Sequence, residues 1–314
     1  MSYHRLCRGL ALPVRWLSHW SGNAMRQIGA VRLPRILMYH VIGDGELSVR
    51  QFAWQLAFLR EHFEPVALGE LVDRMRDRAV TGREVAVTFD DGVRNHFEMA
   101  WPLLRHHRVP ATFFVCSDLI ESDAMMWRNE LRLRLASLDE AERRLLVGEA
   151  NGGKWGVEQI MEWTKTLDMD QRRAFESRVL ARTPQFSASR EQLELHAPLT
   201  WDQLRQLDEN LITIGSHTCA HPILTKLDAK QLHDEIAVSR RVLERGLQRK
   251  VDLFSYPNGV HDPTVVGEVR RNYRAAVCTR KGFVGADADP LLLPRISGEG
   301  SRAMFVRRLH RPGS

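Results

Sequence analysis

Four cysteines among 314 residues leave little to build a covalent framework from. Cys7, Cys116, Cys219 and Cys278 lie far apart and form no C-x-x-C pair, which excludes a dense disulfide scaffold and a zinc ribbon. Free buried thiols in a reducing compartment are the expectation. No run of eighteen apolar residues occurs, so no helix is long enough to span a bilayer. There is no internal repeat, no low-complexity tract and no signature of an oligomeric state. A net charge of +6 permits an anionic partner, but without a recognisable nucleic-acid motif it does not argue for one, and no nucleic acid is expected.

The N-terminus has no acid before Asp44, yet Arg5, Arg8, Arg15, Arg26, Arg32 and Arg35 stand there. Leu6, Leu10, Val14, Leu17, Ala24 and Ile28 recur at helical spacing. Residues 1–34 therefore read as a basic amphipathic segment able to lie on an anionic membrane surface. Gly9, Pro13 and Gly22 interrupt it, so a helix packed on the domain or a plain tail fits as well. The apolar stretch from Gly9 to Val14 is short, broken by Pro13, and lacks a small-residue cleavage site, unlike a secretory signal. The expected location is the cytoplasm, in peripheral contact with the inner membrane face; export to the periplasm is the rival.

With 44% hydrophobic residues, the rest of the chain can bury a large core. Short apolar runs predict strands at Arg35 to Tyr39, Glu84 to Phe89, Ala111 to Val115, Leu211 to Gly215, Val251 to Tyr256, Ala275 to Thr279 and Leu291 to Ile296. Helical spacing predicts helices over Val49 to His62, His96 to His107, Asp228 to Leu247, Pro263 to Asn272 and Arg302 to Leu309. Ser48 with Gln51, and Thr200 with Gln203, offer capping boxes. Strands alternating with helices predict a parallel α/β sheet or barrel. From about 125 to 198 the sequence is charged and helical in character, without a strand-like run, and reads as an insertion.

Three of the predicted strand ends carry chemistry. The first ends in Thr88-Phe89-Asp90-Asp91-Gly92, two adjacent carboxylates that repel unless a cation or shared proton intervenes. The second runs Gly215-Ser216-His217-Thr218-Cys219-Ala220-His221-Pro222, with two histidines spaced to face one metal. An Asp and two His make three ligands with an open position, the composition of a catalytic site, and leave the other carboxylate free to act as a base. The third is Tyr256-Pro257-Asn258-Gly259, a turn whose amide N–H could face an oxyanion. Taken singly, each also fits a plain structural turn.

In order and spacing these motifs resemble those of the NodB-like polysaccharide deacetylases, a carbohydrate esterase family. Met38-Tyr39-His40 and Leu293-Pro294-Arg295-Ile296 resemble a branch of it, so the likeness runs from about Arg35 to Ile296. It implies a distorted (β/α)7 barrel, with the helical insertion set into a domain spanning 35–314. It implies that Asp91, His217 and His221 hold a divalent metal, usually zinc, that Asp90 is the general base, and that the Asn258 amide N–H helps to stabilise the oxyanion, with Tyr256 and Pro257 of the same motif as candidate substrate-binding residues. The implied substrate is an N-acetylated glycan, in a polysaccharide or lipid-linked, and the co-product is acetate.

Two departures stand out. The family often carries an arginine just before the Pro motif, to orient the base; here Phe254 is near that place, and Arg295 is the candidate to reach Asp90 from the next strand end. The family's late general-acid histidine has no clear match, since His310 directly follows Leu309 in a predicted helix and reads as a surface residue. His40, at the end of the first strand, is the candidate acid or substrate ligand. Trp127, Trp155 and Trp163 of the insertion read as core residues that could instead stack on sugar rings. Cys219, between the two histidines, reads as a packed non-ligand. A carbohydrate-binding pseudoenzyme of the same fold is the alternative, and the missing late histidine is its support.

Overall fold

The computed structural model describes residues 22–313 apart from 123, 149 and 150. Most of the basic N-terminal segment, residues 1–21, and Cys7 with it, lies outside the described residues. Its last part is helix α1 (Gly22–Ala30), and Ile28, with Ala24 and Met25 beside it, packs into the main core. That part of the apolar stripe is used on the domain itself.

The central sheet is wholly parallel. Its strands are β1 (Arg35–Tyr39), β2 (Glu64–Pro65), β3 (Glu84–Phe89), β4 (Ala111–Val115), β5 (Ile212–Ser216), β6 (Leu253–Ser255), β7 (Ala275–Lys281) and β8 (Leu293–Ser297). Each of β3 to β7 pairs with the next, and β1 pairs with both β3 and β8, which closes a seven-stranded barrel. β2, which the sequence pattern did not announce, pairs only with Glu84 and Val85 at the start of β3. Two residues are too few to show any periodicity.

Side-chain alternation sorts the strands into two layers. One set, including Leu37, Val87, Phe89, Phe113, Ile214 and Phe254, packs under the surrounding helices α2 (Val49–His62), α4 (Trp101–His107), α12 (Ser239–Leu247), α13 (Pro263–Asn272) and α14 (Arg302–Arg308). The other set, Ile36, Ala86, Phe114, Leu253, Val277 and Leu293, fills the barrel. Helix α3 (Leu68–Arg76) adds Leu68, Leu71 and Val72 to this inner cluster at the strands' starting end, where Asp73 pairs with Arg274 just before β7. Gly215 is small because the Phe114 ring takes the space; a Cβ there would lie 2.5 Å from that ring.

At the same end, Arg35 is buried with no acidic partner among the described residues. It donates to five carbonyls, those of Ile28, Val31, Leu33, Gly82 and Leu309, tying the first and last helices to β1. Burial lowers its pKa to about 10, still high enough to keep the charge.

Two predicted helices are not uniform. His96–Ala100 forms a π turn before α4, and Asp234–Val238 forms another between α11 (Ala229–His233) and α12. Such bulges leave the apolar spacing almost unchanged, so sequence periodicity passes over them. Thr200 and Gln203 form a reciprocal capping box, whereas Ser48 caps its helix while the Gln51 amide is used on the Gly300 carbonyl.

Between β4 and β5 the chain builds α5 (Trp127–Ser137), α6 (Glu140–Val147), α7 (Val157–Thr164), α8 (Met169–Arg182), α9 (Arg190–His196) and α10 (Trp201–Gln206). The first four share a separate small core of Leu131, Leu135, Val147, Ile160, Met161, Phe175 and Val179. Trp163 packs edge-on against Phe175, and Trp155 donates to the Gly148 carbonyl. A bridge between Val93 and Pro198 fastens the far end of this stretch beside the Asp90-Asp91 loop.

Candidate active site

In parallel barrels, side chains at the strands' C-terminal ends and the loops beyond them form the rim on which chemistry is done. Alternation along β3 sends Ala86 and Thr88 inward, and continues to Asp90. Along β6 it sends Leu253 and Ser255 inward, and along β8 Leu293 and Arg295. These polar side chains meet inside the rim. Arg295 donates from Nη1 to Asp90 Oδ1 at 2.8 Å and from Nη2 to Asp90 Oδ2 at 2.6 Å, a two-pronged pair. Its remaining donors go to Thr88 Oγ1, Ser255 Oγ and the Cys278 carbonyl. Both members are buried, Arg295 at 1% exposure and Asp90 at 3%. Burial alone would raise the Asp90 pKa; the Arg295 charge, then that of His217, overrides this and holds it down at about 2.

The same alternation turns Phe254 and Tyr256 outward into the helix-covered core, where both are 0% exposed. Phe254 therefore does not stand in for an arginine; Ser255 faces the guanidinium instead. Tyr256, a candidate binding residue from the sequence, does not enter the site, since its ring packs against Phe254 and His261. Pro257 is likewise buried and shapes the turn rather than offering a contact.

Asp91 leaves the strand direction with φ 81°, and Gly92 follows at φ 67°. A Cβ on Gly92 would lie 2.9 Å from Val115 Cα, so only glycine lets the loop pass that close to β4. The turn carries Asp91 away from Arg295 and towards the histidines. Asp91 Oδ1 is 3.6 Å from His217 Nε2 and 3.9 Å from His221 Nε2, and these three residues form a ligand cluster within 4.8 Å.

The donor set fits a divalent ion. His217 Nδ1 lies 2.7 Å from the Ser255 carbonyl, which can only accept, so Nδ1 is the donor and Nε2 is the ring nitrogen left to face Asp91. His221 is kept neutral because burial, then the neighbouring His217, pushes its pKa down to about 3. Its Nδ1 is buried without a partner among the described residues. Asp91 stays ionised: burial opposes this, but the adjoining His217, then His40 and His221, hold it well below the carboxylate range. Ligands about 2.0–2.2 Å from a tetrahedral ion stand roughly 3.4 Å apart, close to the separations seen. Cys219 is not part of this cluster; its thiol, pushed up to about 12 first by burial, turns towards the Asp234 carbonyl.

His40 follows β1 on the same rim. Its Nδ1 and its backbone N–H both meet Glu299 Oε1, at 2.9 and 3.0 Å. Burial favours the neutral ring, but Glu299, then Asp91 and Asp90, raise its pKa to about 9. His96 Nε2 donates to the His40 carbonyl and fixes the backbone there. Sequence reasoning missed Glu299, Ser255 and His96. The available signals were an acid set between two glycines just after a catalytic strand, and a hydroxyl of inward parity on β6. Asn258 has φ 56°, and its Oδ1 accepts from Arg128 of the insertion. His310 lies away from the site, near Arg35 at the opposite end of the barrel.

A closed parallel barrel with a carboxylate pair and a histidine pair on its C-terminal rim defines a hydrolase class, and sequence comparison identifies it. The profile of the polysaccharide deacetylases matches residues 77–276, and the chain belongs to that family, whose members are hydrolases of carbon–nitrogen bonds. A Bacillus subtilis (strain 168) relative, YxkH, whose name places it among polysaccharide deacetylases, is 20% identical over 271 residues, spanning 84% of this chain and 71% of that one. Among solved structures, the Streptococcus pyogenes deacetylase PplD in complex with acetate superposes with a TM-score of 0.61 at 19% identity, over 90% of this chain and 98% of that one. IcaB from Ammonifex degensii gives a TM-score of 0.58 at 19% identity, over 90% and 97%. At these identities the superpositions establish the barrel fold.

Proposed function

We propose that this protein is a zinc-dependent deacetylase that hydrolyses the N-acetyl group of an amino sugar in a polysaccharide or lipid-linked glycan, releasing acetate. The observation that carries the reading is the division of labour between two adjacent carboxylates. Asp90 is sealed to a guanidinium, while Asp91 faces the Nε2 atoms of two imidazoles.

When bound by Asp91, His217 and His221, a divalent ion supplies Lewis acidity, polarising the acyl carbonyl and making water easier to deprotonate. The protein's own groups do the rest. Asp90, kept ionised by Arg295, retains a second lone pair on each oxygen and accepts a proton as water attacks the carbonyl. The Asn258 backbone N–H is the oxyanion donor. His40, charged at neutral pH and oriented by Glu299, gives its proton to the sugar nitrogen as the C–N bond breaks. One water is consumed, its oxygen ends in acetate, and the sugar keeps an amine. Base, guanidinium and imidazolium together favour turnover over a binding-only role.

Location belongs to the same proposal. The basic segment 1–34 would hold the protein on the cytoplasmic membrane face, within reach of lipid-linked sugars; about 1 kcal/mol per basic residue near an anionic surface supports such contact. Release from membranes by high salt supports this, and recovery of a shortened chain in the periplasm overturns it. For the activity, the zinc-loaded protein is incubated with a panel of N-acetylated oligosaccharides. Acetate and free amine appearing in equal amounts support the reading; no acetate from any member refutes it.

A further inference from the structure

The loop carrying His217 and His221 holds two residues in left-handed backbone conformations, Thr218 at φ 71° and His221 at φ 56°. Each costs about 1–2 kcal/mol for a residue with a Cβ, so the loop relies on outside partners to keep its shape. On one side, Glu235 Oε2 accepts from the Cys219 and Ala220 N–H groups at 2.9 and 3.0 Å, and Ser239 Oγ donates to the Thr218 carbonyl at 3.0 Å.

On the other side the partner comes from the insertion. Trp127 Nε1 donates to the carbonyl of His221 at 3.0 Å. The Arg172 guanidinium stacks 4.1 Å from the centre of the Trp127 ring, with its Nε 3.1 Å from Glu176 Oε1. The next residue, Arg128, donates to Asn258 Oδ1. Two consecutive residues in the first turn of α5 thus touch both the histidine loop and the Asn258 loop. A barrel needs no such helix to close, so these contacts tie an added element to the rim.

We propose that Trp127 is a positioning residue of the metal site. By pinning the His221 carbonyl it fixes where the His221 imidazole stands, and metal affinity depends on this one hydrogen bond from the insertion. This rests on the reading that Asp91, His217 and His221 hold a divalent ion.

The test is metal binding by the full chain, measured by competition with a chromophoric zinc chelator and by the visible spectrum of the cobalt(II)-loaded protein. Trp127→Phe keeps the ring on Arg172 and removes only the N–H donor. It is expected to weaken zinc binding roughly 2- to 12-fold, the factor carried by one lost neutral hydrogen bond, and to shift the cobalt bands. Phe175→Leu is the control: it loosens the insertion's own core but keeps the Trp127 N–H that bonds the His221 carbonyl, so it should lower the melting temperature and leave zinc affinity within about twofold of wild type. A folded Trp127→Phe protein with wild-type affinity and an unchanged cobalt spectrum overturns the proposal. So does a Phe175→Leu protein that loses zinc as readily as Trp127→Phe. Wild-type protein that binds neither zinc nor cobalt sinks the metal reading itself, and this proposal with it, and is told apart by that blank.

Discussion

Arg295→Met would leave Asp90 as a buried carboxylate without the cation it is hydrogen-bonded to. The methionine fills much of the space but replaces none of the donors to Asp90, Thr88 Oγ1, Ser255 Oγ or the Cys278 carbonyl. Breaking one side of a buried pair costs about 3–5 kcal/mol, against about 5–15 kcal/mol for a whole domain. The variant should therefore fold at room temperature but melt about 6–10 °C lower, at roughly 2 °C per kcal/mol for a large domain. Asp90→Asn leaves the guanidinium charged but still bonded to three neutral acceptors, and should cost less. The double variant Asp90→Asn, Arg295→Met removes both charges, so it should be more stable than Arg295→Met alone, giving a coupling of about 2 kcal/mol or more. Urea unfolding of metal-stripped protein measures all four members of the cycle without the linkage a bound ion would add. An Arg295→Met protein within about 1 kcal/mol of wild type would refute the reasoning, as would strict additivity of the two changes.

Glu299→Gln should leave burial unopposed by its main partner and lower the His40 pKa from about 9 towards the ordinary 6.5. In the proposed mechanism the charged ring is the acid, so wild-type turnover should fall as pH rises through about 9; the variant's alkaline limb should lie about two units lower, and an unmoved limb removes His40 from the acid role. The pair's contribution to folding follows the same sign, present in full below about 6.5 and gone above about 9. Asp90→Asn should bind zinc as wild type does while losing roughly 10²–10⁴-fold in turnover, checked by chelator competition beside acetate release. His217→Ala should lose the metal, read by elemental analysis of the purified protein; retained stoichiometric zinc would move the site elsewhere. Gly92→Ala forces a Cβ against Val115 and should lower both the melting temperature and zinc affinity, because the strained turn at Asp91 cannot relax without shifting the ligand.

Much of this molecule was legible in its sequence, for identifiable reasons. The barrel strands are short, apolar on both faces and bounded by turn residues, so their positions could be read to within a residue or two. The motifs of the candidate site sit directly at their ends. What alternation adds was harder to see. Whether Phe254 or Ser255 faces the guanidinium is a matter of parity, and a strand with three paired residues, β6, does not declare its inward face. Glu299 and His96 were missed because each acts on His40 from across a fold that a linear reading does not close. Trp127 has helical spacing like its neighbours; its contact with His221 depends on how the insertion lies over the rim.

The barrel closes where β1 meets β8, so the two ends of the domain's sequence share one seam. His40 comes from one side of it, and Arg295 and Glu299 from the other. The stretch that matches the family profile, residues 77–276, holds all three metal-ligand candidates and Asp90, but none of these three residues. A fragment trimmed to those bounds would carry the candidate ligands, yet it would lack His40, the proposed proton donor, and the cation that pairs with Asp90. In this chain the candidate ligands lie in the middle of the sequence and the candidate acid and the cation beside Asp90 lie at its margins, and only the closed ring joins them.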